Sequence, residues 1–202
     1  MDQRMLQVGP PAETERADAV RNRARILDAA RTILDASGVD ALTMDAVARE
    51  AGLGKGTVFR RFGSRSQLLL TLLNSTEEEF QRGFLAGPPP LGPGANPVDR
   101  LIAFGRARLD LLGVQGDLLR AAEASAESRY SSPARAASVL HITMLLRSGG
   151  VQGDVPVLAT TLNSTLDAAL VLHENRVGSV SMERIANGWE DLVRRVTAPQ
   201  QT

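Results

Sequence analysis

The sequence TMDAVAREAGLGKGTVFRRFGSRSQL, from Thr43 to Leu68, predicts two short helices, a tight turn between them and the start of a third helix. Apolar residues at i, i+3, i+4 and i+7 from Met44 give the first helix one buried face of about two turns. Thr43 is a favourable N-cap, and Gly52 can adopt the left-handed conformation just past the helix end. The second helix then runs from about Lys55 to Phe62. Two helices joined by a glycine turn are therefore expected here.

The exposed side of the second helix is predicted to be cationic. Its cations are Lys55, Arg60, Arg61 and, just beyond the helix, Arg65, with no acid among them. Gly54 and Gly56 leave the front of the helix without bulk, so its backbone N–H groups can approach a phosphate closely. A solvated helical hairpin is the alternative, but two glycines in so short a helix cost about 1 kcal/mol each and need a reason. We therefore predict a helix-turn-helix whose second helix enters the DNA major groove.

This segment closely resembles the DNA-binding domain of TetR-type transcriptional regulators. The resemblance is carried by the string T-x-x-x-V-A-x-x-A-G-L-x-K-G-T-V-F-x-x-F-x-S-R-x-x-L-L and extends over residues 21 to about 73. The DNA-contacting positions that it implies are Thr43, Gly54, Lys55, Gly56, Thr57, Phe59, Arg60, Arg61 and Arg65.

Several of these positions depart from the family pattern. Phe59 stands where many relatives have a tyrosine whose hydroxyl contacts phosphate, so that hydrogen bond is absent here. Arg60 and Arg61 stand where tyrosine or histidine is common, and they can supply the phosphate contacts instead. Arg65 replaces the usual lysine and keeps its charge.

The charge of the chain is unevenly distributed. The chain has 23 Lys and Arg residues against 23 Asp and Glu residues, so its net charge alone does not suggest a nucleic-acid partner. Residues 21–65 hold nine cations and five acids, whereas residues 66–202 hold twelve cations and fourteen acids. A local basic excess is expected of a nucleic-acid-binding surface attached to a neutral body. Arg21, Arg23 and Arg25 cluster near the start of the first helix, where they either reach phosphates or are simply solvated.

Catalytic and metal-binding chemistry has little support in the sequence. There is no cysteine, which excludes disulfides and thiolate ligands or nucleophiles. His141 and His173 are predicted on different helices without the spacing of a metal site. We therefore expect no cofactor, no metal and no enzymatic activity. No hydrophobic run approaches the roughly 18 residues of a membrane span, so we expect a cytoplasmic protein without a membrane partner.

Long apolar-periodic segments without alternating strand patterns predict an all-α chain of about nine helices. Residues 1–17 are predicted to be a disordered arm, residues 18–63 a three-helix DNA-binding domain and residues 64–202 a C-terminal helical domain. Gly38 is predicted to end the first helix, residues 77–79 to be solvated acids, and residues 86–97 (AGPPPLGPGANP) to interrupt the helices. The helices predicted beyond this break cover residues 98–112, 117–127 and 133–147, a segment from the Asp154 cap to His173, and a last segment that begins at the Ser181 cap.

The resemblance implies a homodimeric transcriptional repressor that binds a palindromic operator in double-stranded DNA and is released by a small-molecule effector. In this family a variable C-terminal domain both dimerises and holds the ligand. The candidate dimer-interface residues are Leu162, Ala168, Trp189 and Leu192, which lie on the last two predicted helices. An architectural DNA-binding protein without an effector is the alternative, although the C-terminal part is larger than a dimerisation element needs.

The composition of the C-terminal part also suggests what kind of effector it binds. It is rich in Leu, Val, Ala and Met and poor in aromatic residues, which favours a largely apolar, non-planar ligand. The candidate pocket residues are Leu109, Leu112, His141, Met144, Leu145 and Leu166. His141 or the group Thr161, Asn163 and Thr165 would orient the polar part of the ligand.

Overall fold

The structure is a computed structural model that describes residues 12–121 and 132–198. Its helices are α1 (Ala12–Ala41), α2 (Met44–Glu50), α3 (Lys55–Phe62), α4 (Arg65–Ala86), α5 (Pro97–Ala121), α6 (Pro133–Ser148), α7 (Val155–Thr165), α8 (Ala168–Arg176) and α9 (Met182–Thr197). The described ranges contain no β-strand, and the all-α prediction is confirmed. The chain divides into two compact units between Leu72 and Leu73, within α4. The limits expected for the arm and for the two domains stay predictions.

The first helix begins earlier than expected, at Ala12, inside the segment predicted to be an arm. Residues 1–11, with Arg4, lie outside the described residues. The helix does not end at Gly38 as expected; Gly38 interrupts it, because its backbone leaves the helical region (φ 75°, ψ 178°) before one further turn that ends at Ala41. A glycine reaches such a positive φ at little cost.

The three helices of the helix-turn-helix form around small apolar faces. Thr43 caps α2, since its Oγ1 accepts the backbone N–H of Ala46 at 3.1 Å. Gly52 follows α2 with a φ of 62°, and the N–H of Leu53 closes the turn on the carbonyl of Ala48 at 2.9 Å. The buried side chains of this unit include Ile26, Leu27, Leu42, Met44, Val47, Val58, Phe62, Leu68 and Leu72. The predicted pair of helices and its glycine turn are thus confirmed.

The predicted break between a helix at residues 98–112 and another at residues 117–127 is wrong. A single helix, α5, runs through Gly113 and Gly116 to Ala121, and residues 122–131 lie outside the described part of the chain. Gly116 serves close packing rather than a break, because an added Cβ would lie 2.5 Å from a methyl group of Leu172 in α8. Periodicity alone cannot distinguish these two uses of glycine.

The single helix predicted from Asp154 to His173 is also wrong, since it consists of α7 and α8. Asp167 begins the second of them by accepting the N–H groups of Ala169 and Leu170 on its carboxylate. By length and composition, Val155–Arg176 is nevertheless a segment apolar enough to cross a membrane, contrary to the expectation that no run approaches this length. One such segment is weak support for a membrane span, because core helices pass the same test.

The core of the second unit closes around Trp189. The indole Nε1 donates to the carbonyls of Leu101 (3.2 Å) and Ile102 (3.3 Å) on α5. Gly105, one turn further along α5, makes this approach possible because an added Cβ would lie 2.0 Å from the indole ring. Trp189 is therefore a core residue of its own chain and not the interface anchor that the sequence suggested.

We predict that Gly105→Ala destabilises the second unit by about 3 kcal/mol, because the indole must leave its position or strain α5. Urea unfolding followed by the fluorescence of Trp189, the one tryptophan of the chain, measures this. The matched control is Gly188→Ala on α9, where an added Cβ meets nothing within 4 Å. That change should be neutral or stabilising by about 0.5–1 kcal/mol. Equal effects of the two substitutions would contradict the close-packing account.

Candidate nucleic-acid interface and buried polar cluster

The outer face of α3 is cationic and open. Lys55, Gly56, Phe59 and Arg60 are exposed, while Val58 and Phe62 face the core. Added Cβ atoms at Gly54 and Gly56 would meet nothing within 4 Å, so the N-terminal end of α3 is unobstructed. No side chain caps that end. The N–H of Thr57 donates to the carbonyl of Gly54 at 2.8 Å, so the N–H groups of Lys55 and Gly56 are the ones left to an external acceptor.

The side chain of Lys55 is positioned by two neighbours. Its Nζ lies 2.7 Å from a carboxylate oxygen of Asp45 on α2 and 5.7 Å from the ring centroid of Phe59. Both members of the ion pair are well exposed, so the pair contributes little to stability. Phe59 itself is 41% exposed, which is unusual for a phenylalanine and leaves its ring available for contact.

Arg61 is tied back to α1, whereas Arg60 extends from the surface. The Nη2 of Arg61 donates to the carbonyl of Ala19 at 2.9 Å. Both arginines border a groove of about 490 Å³ between α1 and α3. The other lining residues are Asp18, Ala19, Asn22, Ile26 and Thr57. Of the two adjacent side chains, that of Arg61 is thus held against α1, whereas that of Arg60 projects into solvent.

Arg65 has a structural role that the sequence analysis did not expect. Its Nε donates to the carbonyl of Leu42 at 2.7 Å, and its Nη2 donates to the carbonyl of Val39 at 2.6 Å. These bonds tie the start of α4 to the last turn of α1 and to the residue after it, where the carbonyl of Val39 also accepts the N–H of Leu42 at 3.2 Å. Arg25 acts similarly at the next turn, where its Nη2 donates to the carbonyl of Ala51 at 2.7 Å. Both residues position the helix-turn-helix.

The four candidate dimer residues do not form one exposed surface. Leu162 and Trp189 are buried in the hydrophobic core of their own unit, while Ala168 and Leu192 are partly buried and pack against it. The sequence pattern identified apolar positions correctly, but it could not tell which apolar side is covered within the chain.

Five of the six candidate pocket residues are buried in the second unit. They are Leu109, Leu112, His141, Leu145 and Leu166. Met144 is 50% exposed on the outer side of α6, so it does not line the same interior. Of the proposed polar group, Thr161 and Thr165 are exposed and donate their hydroxyls to carbonyls of their own helix. Within the described ranges, no group of three or more metal-ligating side chains is suited to a metal ion.

His141 is a polar side chain inside an aromatic cluster. Only 2% of it is exposed, and its ring centroid lies 4.4 Å from that of Phe84 and 5.4 Å from that of Phe104. Neither Nδ1 nor Nε2 has a hydrogen-bond partner among the described residues. Burial, and secondarily the positive charge of Arg100, lowers the pKa of His141 from 6.5 to about 4. The imidazole is therefore neutral at pH 7.

Two arginines beside this cluster were missed by sequence reasoning. Arg100 donates from Nη2 to the carbonyl of Phe84 at 3.0 Å, and its Nε is buried without a partner among the described residues. Arg108 pairs with both carboxylate oxygens of Glu77 (2.7 and 2.6 Å) and lies 4.2 Å over the ring of Phe80. The expectation that Glu77 is solvated is wrong, because this pair is mostly buried.

His141 should make stability depend on pH. Below about pH 6.5 the unfolded chain protonates this imidazole, whereas the folded chain does not until about pH 4. The unfolded state thus binds more protons in this window, and the free energy of unfolding falls by up to about 3 kcal/mol from pH 6.5 to 4. Urea unfolding across this range measures the effect. His141→Phe should remove this pH dependence of the free energy of unfolding, whereas His173→Phe, at an exposed site on α8, should retain it. An unchanged pH dependence in His141→Phe would show that His141 is not its cause.

Comparisons with known proteins agree with this geometry. Residues 26–72 match the family described as "Bacterial regulatory proteins, tetR family". The HTH-type transcriptional regulator SAB2452 of Staphylococcus aureus (strain bovine RF122 / ET3-1) is 42% identical over 65 residues, covering 32% of this chain and 35% of that protein. The HTH-type transcriptional repressor KstR of Rhodococcus jostii (strain RHA1) is 39% identical over 79 residues, covering 39% of this chain and 35% of that protein. The chain thus spans about a third of the length of these curated relatives.

The fold as a whole is also shared with a solved structure. A TetR-family transcriptional regulator from Pectobacterium atrosepticum superposes with a TM-score of 0.72 at 21% identity, over 92% of this chain and 99% of that one. The class that the first unit defines is that of helix-turn-helix DNA-binding domains. Residues 26–72, which lie within this unit, match the family model of the TetR-type bacterial regulatory proteins.

Proposed function

We propose that this chain is a sequence-specific DNA-binding transcriptional regulator that acts as a repressor. The observation that carries the proposal is the outer face of α3, which is cationic, contains no acid within the helix itself and is open at its N-terminal end. This face belongs to a helix-turn-helix whose turn and caps hold it outward. The family is one of transcriptional regulators, which is compatible with the expectation that the chain is not an enzyme.

The contacts with DNA divide between backbone and bases. The uncapped N–H groups at the start of α3, with Lys55 and Arg60, bind phosphate oxygens and set the position of the helix in the groove. Phe59 has no polar atom in its side chain, so it contributes apolar contact, for which the methyl group of thymine is the natural partner in the major groove. Arg65 and Arg25 act indirectly, by fixing the ends of the helices that carry these groups.

We infer a homodimer that binds a palindromic operator. Two recognition helices about 34–36 Å apart fit successive major grooves, and a small change in this spacing removes the fit. A small, largely apolar effector in the second unit would cause that change through α4, whose residues belong to both units. The polar groups buried among Phe84 and Phe104 support an effector, which an architectural DNA-binding protein would not need.

The double substitution Arg60→Ala/Arg61→Ala should weaken operator binding without unfolding the chain. Each phosphate contact that is lost should lower the slope of log K against log[salt] by about 0.9. Fluorescence anisotropy with labelled operator at several salt concentrations measures both quantities. Arg82→Ala/Arg147→Ala removes the same charge from exposed positions on α4 and α6 of the second unit and should leave the slope unchanged. An identical slope in both double variants would contradict the role of α3.

The outer side of α7 is the surface that we assign to the dimer, together with α9. Val157 is 60% exposed there. Thr160, Thr161 and Ser164 donate their hydroxyls to carbonyls one turn earlier in the same helix. These side chains are small and already satisfied, so a second helix can pack against them with little loss of hydrogen bonds to water.

Val157→Glu should therefore yield monomers, because it places a charge in the centre of an apolar contact. Sedimentation velocity at micromolar concentration should show a dimer for the wild type and a monomer for this variant, with loss of tight operator binding. Val177→Glu, at a valine beyond α8 that is also exposed, is the matched control and should remain dimeric. A monomeric wild type would refute the dimer, and a dimeric Val157→Glu variant would move the interface elsewhere.

A further inference from the structure

Two side chains that carry buried nitrogen atoms without hydrogen-bond partners contact Phe84. The imidazole of His141 packs against the ring of Phe84, and the guanidinium of Arg100 holds the backbone carbonyl of the same residue. Both nitrogens of His141 and the Nε of Arg100 are buried and unpaired among the described residues. Phe84 lies in the last turns of α4. One residue of α4 thus touches both groups.

This arrangement is unfavourable for a core that serves packing alone. A phenylalanine at position 141 would stack equally on Phe84 and Phe104 without leaving two nitrogens unsatisfied. Buried polar atoms without partners are uncommon, and here two side chains contribute them at one place. The neighbouring guanidinium of Arg108 is different, since Glu77 already satisfies it with two short bonds. The unpaired groups are therefore specific to the surroundings of Phe84.

The chemistry of these groups defines what would complement them. A neutral imidazole offers one N–H donor and one acceptor, and the Nε–H of Arg100 offers a second donor that carries positive charge. A carboxylate accepts hydrogen bonds only, and charge-assisted bonds from arginine to carboxylate are among the strong ones. Phe80, Phe104 and Leu109 belong to the same cluster and supply apolar surface, while the Arg108–Glu77 pair lies beside it over Phe80. A ligand that suits both parts has one acidic end and an aliphatic body.

We propose that His141 and Arg100 bind the carboxylate of an amphipathic monocarboxylic acid, whose aliphatic chain lies in the apolar core of the second unit. This rests on the proposed function, and it replaces the general expectation of an apolar effector with a defined chemical class. The carboxylate draws on the same guanidinium that holds the carbonyl of Phe84, so its binding alters the contacts of α4 near Ala86. The acidic end thus acts on α4 directly.

The test compares ligands that differ only at the polar end. Decanoate and decanol have the same chain length, and acetate supplies the carboxylate without the chain. Isothermal titration calorimetry on the full chain should show decanoate binding at least tenfold more tightly than decanol, with no measurable binding of acetate. Decanoate should also release operator DNA at concentrations that track its affinity. Equal affinities of decanoate and decanol, or tight binding of acetate, would overturn the proposal.

Two substitutions then locate the carboxylate. His141→Phe and Arg100→Lys should each reduce the preference for decanoate over decanol at least fivefold, and His173→Phe should retain it. His141→Phe should also raise the melting temperature of the ligand-free chain, which separates a ligand-binding histidine from one that holds the core together. A lower melting temperature with an unchanged decanoate preference would overturn the proposal. Arg100→Lys is an independent test of the hydrogen bond from Nε, because lysine keeps the positive charge and loses the Nε–H.

Failure of this inference and failure of the proposed function give different results. If the wild type binds operator but neither decanoate nor decanol, the carboxylate site is refuted and DNA recognition stands. If decanol alone binds and releases the operator, an apolar effector stands and the carboxylate is again refuted. If decanoate binds with the expected preference while the chain recognises no DNA sequence, the inference is supported and the regulatory function is refuted.

Discussion

The helix-turn-helix depends on the backbone reversal at Gly52. The chain leaves α2 there with a φ of 62°, and the N–H of Leu53 closes the turn on α2. Arg25 reaches this turn from α1 and donates to the carbonyl of Ala51. An added Cβ at Gly52 would meet that guanidinium at 3.2 Å, so both conformation and space favour glycine. The direction of α3, and with it the outward cationic face, follows from this one residue.

The second unit depends on a comparable close approach. Trp189 fits against α5 because Gly105 has no side chain, and its indole N–H satisfies carbonyl groups of that helix. This places α9 against α5 and encloses the aromatic cluster around Phe84. A core closed in this way tolerates few unpaired polar atoms, and those of His141 are therefore informative about function. The aromatic cluster around Phe84 thus belongs to the packed core and also surrounds the groups that we propose to bind the effector.

Features with local causes could be predicted from the sequence, and features with distant causes could not. Thr43 and Gly52 act on neighbouring residues, so the caps and turn of the helix-turn-helix were recognisable. Gly116 is a glycine because Leu172 of α8 packs closely against it, and the sequence of α5 alone gives no sign of that contact. Arg65 looked like a phosphate contact because charge is visible in a sequence, whereas its bonds to carbonyls of α1 are not. The pairing of Arg108 with a glutamate of α4 was hidden for the same reason.

We propose that the outer face of α3 reads a palindromic DNA sequence as part of a dimer. Selection of bound fragments from a random DNA pool by the full wild-type chain tests it most directly. One inverted repeat should be enriched, with half-sites centred about one helical turn apart, or a multiple of it. Recovery of fragments without a shared sequence would show that α3 does not read sequence, and recovery of a single half-site without its inverted copy would rule out a symmetric dimer on the DNA.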